Sequence, residues 1–207
     1  MVDYSQELNA WAKELSAVHL PRWEELPALS LYMDQVLLYI NDTLAFLNVA
    51  PGTASGRSKN DDKLLTSAMI NNYVKQHFVP KPEKKRYQRE HIACLIAYVL
   101  LKPVLPLNDI QKGIYLLLEL NEYNFQRAYD TFCMQLEAGL QYVADLTIGT
   151  PVEKLSYAEM SLFNLGTSMS ALSLATKLVA QKVLVLNGLE HEDTYAVDRI
   201  FAVPAKK

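Results

Sequence analysis

The feature that most constrains the fold is an apolar seam between Asn121 and Leu146 that recurs every three or four residues. Its members are aromatic or aliphatic side chains: Phe125, Tyr129, Phe132, Leu136, Leu140 and Val143. Residues at this spacing lie on one face of an α-helix, whereas a half-buried strand alternates at every second residue. The seam therefore predicts a long helix with one buried face.

The same spacing predicts helices along most of the remaining chain. These patterns run over residues 5–18, 31–48, 90–102, 107–120 and 157–186, with Gly188 as the stop of the last helix. Strict alternation of polar and apolar residues, which would predict a strand, is absent except for a short hairpin expected near residues 84–87. Hydrophobic residues make up 50% of the chain, which is enough for a real core. We therefore expect an all-α protein with at most that one hairpin.

The predicted elements divide the chain into four parts. Residues 1–29 form an N-terminal helical arm, and residues 30–120 form a module that contains a flexible loop at 50–62. Residues 121–188 form a C-terminal helical bundle or hairpin, and residues 189–207 a loosely ordered tail. The aromatic side chains of the third part are expected to fill a core or a dimer interface. A small apolar ligand held between its helices is the alternative.

A short helix within the second part has two contrasting faces. Thr66 is a candidate N-cap, and Met69, Ile70, Tyr73 and Val74 make the apolar face. Pro80 and Pro82 are expected to end the helix. The opposite face carries hydrogen-bonding side chains of the kind that reach bases or phosphates: Ser67, Asn71, Asn72, Lys75 and Gln76. Taken alone, such a face is more often simply solvated.

The charge of the chain is segregated around this helix. The whole sequence has a net charge of −3, but residues 75–91 carry +4 and the remainder −7. The basic residues are Lys75, Lys81, Lys84, Lys85, Arg86 and Arg89. Any attraction to nucleic acid must come from such a local patch, because the whole protein is mildly acidic.

The order of these features resembles the MerR-like winged helix-turn-helix. The run MINNYVKQHFVPKP matches a recognition helix that carries a tyrosine and ends in two apolar residues and a proline. The run KKRYQREHI matches a wing that leads into the helix beginning near Glu90. The run VLPLNDI matches the short turn that precedes the following helix, which begins near Leu107. The chain departs from the family pattern at four positions: Asn71, Lys85, Gln88 and Pro106.

Four segments resemble more closely an uncharacterised bacterial family catalogued as domain of unknown function 1836. They read LPRWEELP, LYMDQVLLYIN, LTSAMINNYVKQ and KKRYQREHIA, and the likeness covers roughly residues 20–118. That family has no settled role to carry over to this chain.

The MerR-like resemblance implies sequence-specific binding of double-stranded DNA by a transcriptional regulator. The expected partners are DNA, a second copy of the chain in a homodimer and, as an open option, a small-molecule effector. The alternative is a protein-interaction module that does not bind DNA and keeps a helical dimerisation region. The candidate DNA-binding residues are Thr66, Ser67, Asn71, Asn72, Tyr73, Lys75, Gln76, Lys84, Lys85, Arg86 and Arg89.

Catalysis and metal binding have no positive support in the sequence. The four histidines are scattered, and the acidic side chains show no convergence, so we expect no enzyme, cofactor or metal site. Two cysteines without a CxxC motif fit a reducing compartment. The first residues, MVDYSQELNAW, lack a basic start and an apolar run, so we expect no secretory signal. Asn164, Lys177, Gln181 and Lys182 interrupt the apolar stretch 162–186. A cytoplasmic protein that does not span a membrane is expected.

Overall fold

The computed structural model describes residues 5–49, 63–152 and 162–186, with side chains from residue 165 onward in the last range. The predictions for the loop at 50–62, the helix start at 157–161, the stop at Gly188 and the tail lie outside these residues. The described helices are α1 (Ser5–Ser16), α2 (Met33–Thr43), α3 (Ser67–Lys75), α4 (Arg89–Leu101), α5 (Leu107–Leu120), α6 (Phe125–Ile148) and α7 (Leu162–Leu186).

The described part of the chain contains no strand, so the all-α prediction is confirmed at that level. Two short 3-10 turns, Trp23–Glu25 and Ala45–Leu47, complete the helical elements. The expected wing hairpin is reduced to two isolated antiparallel bridges, Leu31 with Tyr87 and Glu83 with Arg86. The predicted helix over residues 107–120 coincides with α5.

Helix α4 forms the centre of the core. Nine of its residues are buried, and they lie on all sides of the helix: His91, Ile92, Ala93, Leu95, Ile96, Ala97, Tyr98, Val99 and Leu100. A helix that is apolar all round must be covered by neighbours on every side. Helices α2, α5 and α7 pack against it.

Most of the apolar seam of α6 is buried within one copy of the chain, but its first member, Phe125, is 38% exposed. Helix α6 packs extensively against α7 and α1. Gly139 makes the close approach to α7 possible, because a Cβ at this position would lie 2.6 Å from the Cβ of Ala171. Phe132, Leu136 and Leu140 are at most 4% exposed. The seam therefore builds the core of a helical bundle, which was one of the expected uses of these side chains.

The segment that follows α1 lies against α6. The Arg22 guanidinium donates to the Glu137 carboxylate over 2.8 Å, and the Leu20 N–H donates to the same carboxylate over 2.7 Å. The Trp23 N–H donates to Asp130 over 2.7 Å. Although burial works to raise it, these hydrogen bonds from Arg22 and Leu20 together lower the pKa of Glu137. This contact ties the N-terminal residues to the C-terminal helices.

One described helical segment, Leu165–Leu186, is long and apolar enough to cross a membrane by length and composition. The core helix of a soluble protein passes the same test, so the finding is weak by itself. The segment buries Ala171, Leu174, Ala175 and Leu178 inside the protein. Its prediction as a helix that does not span a membrane stays a prediction.

Candidate nucleic-acid interface

Helix α3 presents its polar face to solvent and its apolar face to the core. The Thr66 hydroxyl accepts from the Met69 N–H over 3.3 Å, as expected for the N-cap. Ile70 is fully buried. Ala68 is exposed beside the five predicted polar residues, all of which are exposed: Ser67, Asn71, Asn72, Lys75 and Gln76. The structure therefore brings these five side chains to one accessible helix face.

The end of α3 is set by a backbone motif rather than by the prolines. His77, which follows the C-cap residue Gln76, adopts the left-handed conformation with φ 60°. The Phe78 N–H then donates to the Tyr73 carbonyl over 2.9 Å, and the His77 N–H donates to the Val74 carbonyl over 3.2 Å. These two bonds make a Schellman motif, and the Phe78 and Tyr73 rings supply its apolar contact. The helix ends at Lys75, before Pro80 and Pro82 are reached.

Two polar side chains that the sequence did not single out fix the start of α3. The Asn41 amide of α2 donates to the Leu65 carbonyl over 3.0 Å and accepts from the Leu65 N–H over 3.2 Å. The Lys102 ammonium, just after α4, donates to the Leu64 carbonyl over 2.6 Å. Burial lowers the pKa of Lys102. In the sequence, Asn41 stands out only as a polar residue beside the apolar stripe of its helix. Its partner could not be inferred, because Leu65 lies 24 residues away.

A tight basic turn, Glu83–Arg86, stands in place of the predicted hairpin. The Arg86 N–H donates to the Glu83 carbonyl over 2.8 Å. Lys84 and Lys85 occupy the two central positions with φ of 46° and 62°. Positive φ at both positions is the mark of a type I′ turn, which asparagine and glycine normally fill. The basic turn therefore exposes two lysines in a conformation that side chains of their kind disfavour.

The basic turn is fastened to the residues that precede α2. Leu31 and Tyr87 exchange backbone hydrogen bonds of 2.9 and 2.8 Å. The Arg86 guanidinium lies 4.4 Å from the centre of the Tyr32 ring and donates to the Tyr32 hydroxyl over 2.8 Å. Arg86 thus supports the turn while its side chain stays exposed. Tyr32 is a third residue that sequence reasoning missed, because its partner lies 54 positions further on.

Two of the predicted contact residues are less available than the others. Tyr73 is 4% exposed, and its ring packs against Tyr98 with centroids 5.4 Å apart. Arg89 is largely buried and pairs with the Glu24 carboxylate over 3.2 Å. Their roles at a DNA surface stay predictions, and the structure places both within packed or paired surroundings.

Helix α3 and the basic turn are anchored on one stripe of α4. Tyr73 of α3 packs on Tyr98, and Tyr87 packs on His91 with centroids 5.7 Å apart. Positions 91 and 98 are seven apart, so they lie two helical turns or about 10 Å apart on the same side of α4. Burial lowers the pKa of His91, whose Nδ1 accepts from the Gln88 N–H over 3.1 Å. One helix therefore holds the polar face and the basic turn in a fixed relation.

No cluster of three potential metal ligands occurs in the described part of the chain. Both cysteines are free, and burial raises the pKa of each to about 12. They are therefore neutral thiols near neutral pH.

Comparison with known proteins gives a match to a family model. No curated protein and no solved structure matches the chain. A family model described as "Domain of unknown function (DUF1836)" matches residues 21–132, just over half of the sequence. The ends of that range meet in space, because the Trp23 N–H donates to Asp130. The chain belongs to this family, the domain of unknown function DUF1836.

Proposed function

We propose that this protein binds double-stranded DNA as a transcriptional regulator, through the polar face of α3 and the basic turn. The observation that carries the proposal is their common anchorage on α4, through Tyr73 on Tyr98 and Tyr87 on His91. A helix that reads bases needs a second element, held at a fixed distance, to grip the adjacent phosphates. The order α3, basic turn and α4 resembles that of a MerR-like winged helix-turn-helix, with α2 taking the place of the first helix that the family usually has just before the recognition helix.

The chemistry of the α3 face supports base reading. Asn71 and Asn72 are adjacent and exposed, and the Asn72 amide oxygen accepts from Gln76 over 3.1 Å. Asparagine and glutamine amides pair with the major-groove edge of adenine, and a groove about 12 Å wide admits one helix. Lys75 adds a charge at the end of the same face.

The charge of the basic turn supports phosphate contact. None of the ion pairs formed among the described residues involves Lys84 or Lys85. Two exposed lysines at the tip of a turn, neither of them in an ion pair with a described residue, can displace counterions from a DNA backbone. Their left-handed backbone is costly, and strained residues of this kind cluster at functional sites. The strain is thus consistent with lysines that serve a partner rather than the fold.

A homodimer is part of the proposal. One α3 face and one turn make a small contact, and dimers of such modules read two half-sites about 34 Å apart. Sedimentation analysis with and without DNA tests this part separately from DNA binding.

The test is a selection of bound fragments from the host genome, followed by titration of the selected duplex. The variant Lys84→Asn/Lys85→Gly keeps the type I′ turn and removes two charges. The control Lys13→Gln/Lys112→Gln removes two exposed charges from α1 and α5. We expect the turn variant to bind about tenfold more weakly at 0.1 M salt, with a salt slope smaller by about 2. Equally weak binding by wild type and both variants at low salt would overturn the proposal.

A second candidate is a protein-interaction module without DNA binding. The observation that favours it is a set of exposed apolar side chains on and after α5, with Tyr115 63%, Leu120 54% and Tyr123 67% exposed. This candidate predicts that one defined protein partner is retained and that Leu120→Glu abolishes the contact. Under the DNA proposal, Leu120→Glu leaves duplex affinity unchanged.

A further inference from the structure

An apolar cavity of about 360 Å³ lies between α4, α5, α6 and α7. Its walls include Cys94 and Ala97 of α4, Ile114 of α5, and Tyr129 and Phe132 of α6. It is partly open to solvent, and Leu116 and Phe125, which also line it, are 44% and 38% exposed. Ligand sites in proteins are typically concave, apolar and within about 300–1,000 Å³. The cavity lies at the lower end of that range.

Two glycines border this cavity at positions where no neighbouring atom requires a glycine. Gly113 and Gly166 lie in the interiors of α5 and α7 and line the cavity, and a Cβ at either position would meet nothing within 4 Å. By contrast, Gly139 is required for helix contact, since its Cβ would clash with Ala171. Glycine is among the least favourable residues inside a helix. At Gly113 and Gly166 the absence of a side chain leaves the cavity larger.

The lining selects for an uncharged ligand. The Cys94 thiol is neutral, because burial raises its pKa to about 12. The Ser170 hydroxyl already donates to the Gly166 carbonyl over 2.9 Å. The charged liner Asp109 has a side chain 51% exposed and pairs with Lys112 over 3.0 Å. Its carboxylate disfavours an anion at that edge, and the described lining residues include no lysine, arginine or histidine to hold one.

We infer that this cavity binds a neutral, largely apolar small molecule of two or three rings, or an aliphatic chain of similar volume. An apolar cavity of about 150 Å³ engineered in another protein holds one benzene ring, so 360 Å³ accommodates a ligand more than twice as large. The inference stands on the cavity itself and does not rest on DNA binding.

The experiment titrates the full-length protein with N-phenyl-1-naphthylamine, a neutral probe whose fluorescence rises in apolar surroundings. The matched probe is 8-anilino-1-naphthalenesulfonate, which has the same ring skeleton and one negative charge. We expect saturable binding of one neutral probe per chain, with a Kd on the order of 10 μM. The anionic probe should bind at least about tenfold more weakly, because the walls are mostly apolar and the one charged residue described in the lining is the carboxylate of Asp109.

Filling the cavity gives the decisive comparison. Gly113→Leu places an isobutyl group in the cavity and is expected to weaken binding of the neutral probe at least about tenfold. Gly113→Ala adds one methyl group and should retain binding. Circular dichroism and thermal melting check that both variants fold. If Gly113→Leu does not fold, Gly166→Leu fills the cavity from α7 instead.

Three results would overturn the inference. The first is the absence of saturable binding of the neutral probe, either because none binds or because binding reaches no plateau. The second is binding that folded Gly113→Leu and Gly166→Leu leave unchanged, which would place the probe elsewhere. The third is equal affinity for both probes, which indicates loosely packed surface rather than a shaped cavity. Absence of probe binding, as expected if a second copy or another segment of the chain fills the cavity, falls under the first.

Discussion

Tyr73 of α3 and Tyr98 of α4 pack with their ring centroids 5.4 Å apart and their planes inclined by 34°. Phe78 completes a three-ring cluster, 6.4 Å from Tyr73 and 5.8 Å from Tyr98. The cluster joins the polar helix, its C-terminal Schellman motif and the central helix. Its integrity therefore decides whether α3 keeps its position on α4.

The two tyrosines should respond differently to substitution. Tyr73→Ala is expected to lower the free energy of unfolding by about 3 kcal/mol, because it removes a buried ring from the cluster. Tyr98→Phe should change it by less than about 1 kcal/mol, or raise it, because the buried Tyr98 hydroxyl has no partner among the described residues. Urea denaturation measures both. Tyr115→Ala is the control, since that ring is 63% exposed and should matter little. A Tyr98→Phe loss as large as that of Tyr73→Ala would contradict the packing described.

Two double variants of the basic turn separate the effect of backbone strain on stability from the effect of charge. Lys84→Asn/Lys85→Gly should raise the free energy of unfolding by about 1 kcal/mol, because these residues accept positive φ more readily. Lys84→Ala/Lys85→Ala removes the same two charges without relieving the strain, so it should not stabilise the protein. Thermal melting of both variants distinguishes them. If the two variants gain equal stability, charge repulsion rather than backbone conformation is the cause.

The contact between Arg22 and Glu137 predicts a defined pH dependence. The pKa of Glu137 is lowered from its ordinary value of 4.5, so its stabilising contribution is present above pH 4.5 and is lost as pH falls through the folded pKa. Glu137→Gln should reduce the free energy of unfolding by about 2 kcal/mol at pH 7, with the difference shrinking below pH 4.5. Denaturation curves between pH 7 and 3 measure this.

Glu24→Gln provides the matched control for that experiment. Glu24 also pairs with an arginine, Arg89, but its side chain is 68% exposed. Exposed pairs contribute about 0–1 kcal/mol, so this variant should differ little from wild type at any pH. A constant offset for Glu137→Gln across the whole pH range would show that lost packing, not charge, is responsible.

The same glycine-to-alanine change should have opposite effects at two helix positions. Gly113→Ala is expected to stabilise the protein by about 1 kcal/mol, because its Cβ enters open space and alanine favours the helix. Gly139→Ala should destabilise it by about 1–3 kcal/mol, because its Cβ would lie 2.6 Å from that of Ala171. Thermal melting compares the pair directly. Equal signs would mean that α6 and α7 are less closely packed than described.

The helices were predictable because their signals are local. Periodicity located α5 and α6 to within a few residues, and Thr66 marked the start of α3 through its own hydroxyl. The polar face of α3 was equally readable, because residues three and four apart share a face of any helix. The basic turn was placed correctly along the chain, but its two lysines with positive φ gave no local turn signal.

The sequence by itself determined an all-helical chain, the two faces of α3 and the concentration of positive charge beside it. Each of these depends on residues within one or two turns of each other. Only the tertiary structure decided that Asn41 fixes the Leu65 backbone, that Arg22 joins Glu137, and that Gly113 borders an apolar cavity. Those relations join residues far apart in sequence, and the packing of buried surfaces selects them rather than local preference.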